Sequence, residues 1–391
     1  VSTIAGSDQA GFTDGYGANA AFDQPIDVDV DAQGNIFVVD YGNHAIRRVT
    51  PQGRVDTIAG TGTYGSSDGP GDQAQFFFPE GIAVTPDGNK IYVADTANHT
   101  IRLITFRGDD RTDAADYFVE TWVGAVGSSG FVDGTGRSAR FNSPKGIDLD
   151  DDLNLYVADY GNHAIRRVTP QREVTTVAGT GSPGYVDGPG DRAKFAGPND
   201  VHVGPLGNIY VAETGYHFEE KITEPHIRKI VRTGADPTKR ESYYVLTLAG
   251  DVQGYEDGWG DEADFNFPTY LTIDGDFRVF VGDSRNNRIR TIFQGMVHST
   301  GNPVSGATSS DPVRLLNPDG YMAGWEFDLP YIIYPSLENG EQSYPKTWLF
   351  HVPEGVEAFE FLLGVLADTE LTALPQPEEL SLIHISEPTR P

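Results

Sequence analysis

Five prolines, Pro25, Pro79, Pro144, Pro198 and Pro268, each precede a short apolar run, and the residues just after them hold much of the chain's chemical potential. They are Asp27, Glu80, Lys145, Asn199, Asp200 and Tyr270. If these positions converge, Asp27, Glu80, Asn199 and Asp200 offer the carboxylate and amide oxygens that suit a hard cation such as calcium. Lys145 opposes a cation at the same place. His202, in NDVHV, lies on one of these runs and reads as a hydrogen-bonded wall residue. His44, His99 and His163 occupy the same turn in three separate repeats, so they do not supply the three convergent ligands of a catalytic zinc. Cysteine is absent, and no Gly-x-Ser-x-Gly elbow, Walker loop or His-Glu-x-x-His is present. No residue is assigned a catalytic role.

Repetition defines the elements that position these residues. VSTIAG (1–6), VDTIAG (55–60), VETWVG (119–124), VTTVAG (174–179) and VLTLAG (245–250) each lead into an Asp-Gly-x-Gly turn. The turn aspartates Asp14, Asp68, Asp133, Asp187 and Asp257 are spaced 54, 65, 54 and 70 residues apart. Each is followed by a Phe, a Pro, an apolar run, a strand such as IYVADT or LYVADY, and an Ile-Arg strand. The segment DYGNHAIRRVTPQ occurs unchanged at 40–52 and 159–171, which marks internal duplication. Units of about four strands cannot bury both faces alone, so they must stack radially. The expected fold is all-β: a β-propeller, closed as five blades by pairing residues 1–6 with the strand at 289–294, or part of six with a blade upstream. In that fold the post-proline residues start the innermost strands at the channel mouth.

The motifs GIAVTPDGNKIYVADTANHTIR (81–102) and GIDLDDDLNLYVADYGNHAIR (146–166) resemble the NHL-repeat family, and the resemblance spans residues 1–297. It implies an NHL-like propeller, a fold that serves as scaffold, sensor, nucleic-acid reader and, in a few members, lyase or lactonase. Sugar-lactonase-like propellers place a divalent ion among Glu, Asn and Asp near the axis, which is the type of the Asp27, Glu80, Asn199 and Asp200 set; Gly81 and Gly146 depart from it.

Other repeated positions read as structural. The Asp-Gly-x-Gly aspartates suit turn caps. The acids Asp40, Asp95, Asp159, Glu213 and Asp283 end one strand and Arg47, Arg102, Arg166, Arg228 and Arg290 follow on the next, which suggests buried bidentate pairs between blades. Two departures from the plan, 106–118 and 217–226, are expected to share one rim, where a partner would bind.

After residue 297 the repeat stops. Residues 298–316 read as a linker and 317–379 as a partial β-sandwich-like domain. Residues 380–391, containing LSLIHISEPTR, look like translated sequencing adapter, which points to a fragment from environmental DNA. The 57 acidic against 28 basic residues give a net charge of −29, which excludes a phosphate-backbone binder. No apolar run approaches the roughly 18 residues of a membrane span. The reading is an exported or cell-surface (or periplasmic) propeller that binds a protein or glycan partner. A divalent-metal-dependent hydrolase or lyase with its site at the channel mouth is the alternative.

Overall fold

The computed structural model describes residues 2–215, 224–258, 260–275, 277–293, 358–363 and 381–386. It divides into two compact units, the first covering Val1–Asp274 with Val279–Ile292. Among the described residues there is no α-helix, only strands and short 3-10 turns.

The first unit is a five-bladed β-propeller. Blade 1 consists of Pro25–Val30, Ile36–Asp40, Ala45–Val49 and Arg54–Ala59, innermost to outermost, with the short strand Gly15–Tyr16 on its outer edge. Blades 2, 3 and 4 repeat this order from Pro79, Pro144 and Pro198. Blade 5 contains Pro268–Ile273, Arg278–Asp283 and Arg288–Phe293. All pairings within the blades are antiparallel meanders, for which tight turns suffice. The residue before each proline adopts positive φ: Gln24, Phe78, Ser143, Gly197 and Phe267.

Burial follows from stacking. Phe37, Val39, Ile46 and Ile58 of blade 1 pack on Ile82, Val84, Ile91, Val93 and Ile104 of blade 2. Equivalent clusters join blades 2 and 3, 3 and 4, and 4 and 5. The innermost strands approach so closely that a methyl group built on Gly81 would collide with the Lys145 carbonyl, and one on Gly146 with Asp200. Glycine at these two positions is what lets the strands meet.

Closure differs from the sequence expectation. Residues 2–6 form no strand, and Arg288–Phe293 lies at the edge of a three-stranded sheet. The reason lies in a hydrogen bond: Gly6 N–H donates to Gly17 O, as Gly60 does to Gly71, Gly124 to Gly136, Gly179 to Gly190 and Gly250 to Gly260. The segment therefore runs beside blade 1, where an outer strand of a preceding blade would run. Val28 and Val30 of blade 1 are 57% and 52% exposed and Ile289 of blade 5 is 77% exposed, whereas Ile82, Ile147 and Ile46 at matching positions are buried. Among the described residues, no apolar cluster joins the last blade to the first.

The expected linker at 298–316 lies outside the described residues, as do most of the expected sandwich at 317–379 and the ends of the 380–391 tail. In the second unit Ala358–Leu363 pairs antiparallel with Ser381–Ser386.

Candidate functional site

The repeated arginines organise each blade. Arg47 is fully buried, and its fork is split: Nη1 donates to Asp40 Oδ2 at 2.6 Å and Nη2 to Asp14 Oδ1 at 2.8 Å. Arg102, Arg166, Arg228 and Arg290 repeat this between Asp95 and Asp68, Asp159 and Asp133, Glu213 and Asp187, and Asp283 and Asp257. The pairs thus form within a blade, not between blades, and no carboxylate is gripped by both arms of one fork. Asp40 and Arg47 are seven residues apart on neighbouring strands, so their hairpin brings them together. The turn aspartates do not simply cap their own turn. Asp14 also accepts from Thr57 N and Oγ1, tying the turn to the outermost strand.

The histidines in the strand-to-strand turns join neighbouring blades. His44, His99 and His163 sit at positive φ, and the Nδ1 of each accepts the N–H of the pre-proline residue of the next blade: Phe78, Ser143 and Gly197. Nδ1 is therefore unprotonated. Burial lowers the pKa of His44 and His99, which favours that neutral form.

The innermost strands carry a second inter-blade system. Asp27 Oδ2 accepts from Ile82 N (2.9 Å), Asp29 Oδ2 from Val84 N (2.6 Å), Asp148 Oδ2 from Val203 N (2.7 Å) and Asp200 Oδ2 from Leu271 N (2.8 Å). These N–H groups lie on the inner edge of a sheet with no further strand to pair, so carboxylates of the preceding blade satisfy them. Burial pushes the Asp27 carboxyl up to about 7, with the Asp29 and Asp148 charges adding to it, and pushes Asp148 up to about 6. Asp200 is raised by burial first and then by the Asp27 charge. Tyr270 is raised by burial, then by the Asp27, Glu80 and Asp200 charges. His202 Nδ1 lies 3.2 Å from Asp148 Oδ2, and burial lowers its pKa.

At the mouth, Lys145 Nζ lies 2.9 Å from Glu80 Oε2, 3.2 Å from Asn199 Oδ1 and 4.5 Å from the Tyr160 ring centre. Asn199 Nδ2 donates to Thr269 O at 2.7 Å. A polar chain therefore crosses blades 2 to 5, partly exposed. Of the expected cation ligands, Glu80 and Asn199 face an ammonium, and Asp27 and Asp200 are tied to backbone N–H groups. Among the described residues no group of three or more His, Asp or Glu could hold a metal ion.

The described flanks of the two departures from the repeat lie at opposite ends of their blades. Asp40 pairs beside Pro25, so the turns after second strands lie at the mouth. The 106–118 insertion joins the third and fourth strands of blade 2, Thr100–Phe106 and Tyr117–Val123, at the opposite end. The 217–226 insertion follows the second strand of blade 4, whose end is on the mouth side; its residues 217–223 lie outside the described residues. An antiparallel meander places consecutive turns at opposite ends, so the strand ends that flank the two insertions are on opposite faces.

Sequence reasoning also passed over an aromatic column on the mouth side. Tyr41 stacks on Phe78 (4.9 Å between centroids), Phe78 on Phe77 (5.2 Å), and Phe77 lies beside Tyr64 (5.2 Å), with His44 edge-on to Phe78 at 4.7 Å. The run FFFPE at 76–80 was its available signal.

Stacked four-stranded sheets around an axis, with the chemistry at the mouth, define a β-propeller. Its sequence matches agree. The NHL repeat matches residues 22–49, and the SMP-30/Gluconolactonase/LRE-like region matches residues 71–183. The chain is 29% identical over 307 residues to Protein SUPPRESSOR OF QUENCHING 1, chloroplastic, of Arabidopsis thaliana, covering 74% of this chain and 27% of that protein. It is 34% identical over 232 residues to NHL repeat-containing protein 2 of Gallus gallus, covering 55% and 30%. The chain thus spans under a third of the length of these relatives. An auxiliary nutrient binding protein from Bacteroides thetaiotaomicron VPI-5482 aligns over 74% of this chain and 75% of its own, with a TM-score of 0.43 and 16% identity. The chain contains an NHL-repeat β-propeller. No helix among the described residues is long and apolar enough to cross a membrane.

Proposed function

We propose that this propeller is a binding module of an exported or cell-surface protein, and that it engages a protein or glycan partner on its channel-mouth face. One observation carries the reading. The innermost carboxylates Asp27, Asp29, Asp148 and Asp200 are committed to inter-blade N–H groups, while the Glu80–Lys145–Asn199 chain beside Tyr160 spans the mouth with the Lys145 and Glu80 side chains 21% and 17% exposed over a buried Asn199. The acidic surface, with 28 Lys and Arg against 57 Asp and Glu, supports an exported setting and disfavours polyanionic partners.

The test is to probe a printed glycan array and a panel of purified secreted proteins with the wild type and with Lys145→Glu. At least one probe is expected to bind, and Lys145→Glu, whose new carboxylate faces Glu80, is expected to weaken it at least fivefold. Binding that is absent, or indifferent to the variant, contradicts the reading.

The match over residues 71–183 to the SMP-30/Gluconolactonase/LRE-like region, which spans Glu80 but not Asp27, Asn199 or Asp200, motivates a second reading, a divalent-metal-dependent hydrolase or lyase using these four residues. It requires Lys145 to leave Glu80. The binding reading predicts that millimolar calcium leaves the thermal midpoint unchanged. A calcium-dependent rise that disappears in Asp200→Ala decides for the metal.

A further inference from the structure

We infer that the aromatic column ending at Tyr64 is a stacking subsite for a neutral oligosaccharide. The inference rests on the reading of the mouth face as a binding surface and names the ligand class and an anchor on it.

The column is not required by the repeat. At the pre-proline position, which has positive φ in every blade, blades 1, 3 and 4 hold Gln24, Ser143 and Gly197, and blade 5 holds Phe267. Phe78 takes this left-handed conformation at φ +48, where a bulky side chain is disfavoured and Gly197 or Ser143 serves the same turn. One position earlier, Phe77 stands where the other repeats have Asp23, Asn142, Ala196 and Asn266. Phe77 therefore stands where the four other blades carry small or polar residues, and Phe78, matched by an aromatic residue in blade 5 alone, lies directly beside it.

Geometry selects the kind of ligand. Successive rings of the column are inclined by only 29°, 28° and 31°, so they form a stepped stack, with the His44 ring crossing its side at 70°, 71° and 81° to Phe78, Phe77 and Tyr64; a box that encloses an alkylammonium needs crossed rings on several sides. The stack ends at Tyr64, which is 67% exposed and so offers a ring face on which the next layer can lie. The apolar C–H face of a pyranose matches that surface, and aromatic rings supply such contact area at little entropic cost.

The surrounding polar groups are neutral hydroxyls and an amide. Thr61 Oγ1 and Thr63 Oγ1 are 2.8 Å apart, Gln75 Nε2 donates to Thr63 Oγ1 at 3.0 Å, and Ser67 Oγ donates to Gln75 Oε1 at 3.0 Å. All three contacts are exposed. Groups that both donate and accept suit sugar hydroxyls. A nucleotide would also stack on Tyr64, but its phosphates meet a chain of net charge −29. A peptide face would need an apolar area well beyond this one column.

Saturation-transfer NMR and titration calorimetry of the full chain test the subsite. The sugar probes are gluco-, manno- and xylo-configured neutral tetrasaccharides, and the comparison probe is a Trp- and Leu-rich hexapeptide. At least one tetrasaccharide is expected to bind with transfer concentrated on its ring C–H protons. Tyr64→Ala is expected to weaken it at least tenfold and Tyr64→Trp to preserve it, with thermal midpoints unchanged. Sugar binding that survives Tyr64→Ala but is lost in Lys145→Glu overturns the subsite and leaves the mouth-face reading standing. Binding of the hexapeptide in place of every sugar has the same consequence. Binding of no probe of either class overturns both.

Discussion

Replacing Arg102 by Ala is expected to destabilise the propeller by about 3–5 kcal/mol, because it leaves a buried carboxylate without its countercharge. Arg102 and Asp95 are both fully buried, and the guanidinium also donates to Gln75 O at 2.8 Å, Ser67 O at 3.0 Å and Asp68 Oδ1 at 2.8 Å. Its other face lies over Phe76, 5.2 Å from the ring centre. Truncation therefore strands Asp95 and two carbonyls together. Arg102→Lys is expected to recover less than half the loss, since one ammonium cannot reach both carboxylates as the divided fork does. Arg137, 66% exposed on the side chain and bonded to the same Asp68, is the internal control; its removal is expected to change stability by less than about 0.5 kcal/mol. Urea unfolding reads all three variants. A loss below about 1 kcal/mol for Arg102→Ala contradicts the account.

Asp27→Asn is expected to act through pH. In the folded chain the Asp27 carboxyl titrates at about 7, against an ordinary 3.8, because burial penalises its charge and Asp29 and Asp148 add repulsion. Between those two values the folded state holds a proton that the unfolded state has released. The proton-linked stability is therefore complete below about 4 and is lost as the pH rises through 7. Asn cannot ionise and retains one oxygen for the Ile82 N–H, so the variant is expected to be more stable than wild type at pH 8 by about 1–3 kcal/mol. The difference should vanish or reverse near pH 5. Melting curves of both proteins from pH 5 to 9 check it, and parallel curves would remove Asp27 as the titrating group.

The fold was legible because it is repeated. One unit leaves the pairing of its strands open, but four copies with the same seven-residue spacing from acid to arginine, as from Asp40 to Arg47 or Asp159 to Arg166, mark the same hairpin each time, and in the remaining copy the insertion after Glu213 stretches the spacing to Arg228 to fifteen. That same regularity made the acids and arginines stand out, though not which sheet they would share. Contacts along the radial direction were harder to read. The bond from Ile82 N to Asp27 links residues 55 apart on strands that never pair, and only stacking brings them together. The signal available was an acid at alternate positions of an apolar strand, as in PIDVDV at 25–30. The residues expected at the mouth lie in the first strand of each blade, but the reach of Lys145 across to Glu80 depends on the width of the channel. The turn histidines could be read only as occupants of the same turn in three repeats. Their left-handed conformation, which directs Nδ1 to the next blade, depends on the backbone rather than on the residue type.

The uncovered valines of blade 1 and the unpaired edge of blade 5 also decide how such a chain loses its structure. Energetically the blades are coupled only to their neighbours, like sites on a line. Among the described residues, blades 2, 3 and 4 each have two apolar interfaces, while blades 1 and 5 have one. A sealed ring has no terminal site and melts as a whole. A line can fray, so amide protection should be deepest in the middle blades and decline toward both ends, with the mouth chain from Glu80 to Asn199 in the most durable stretch.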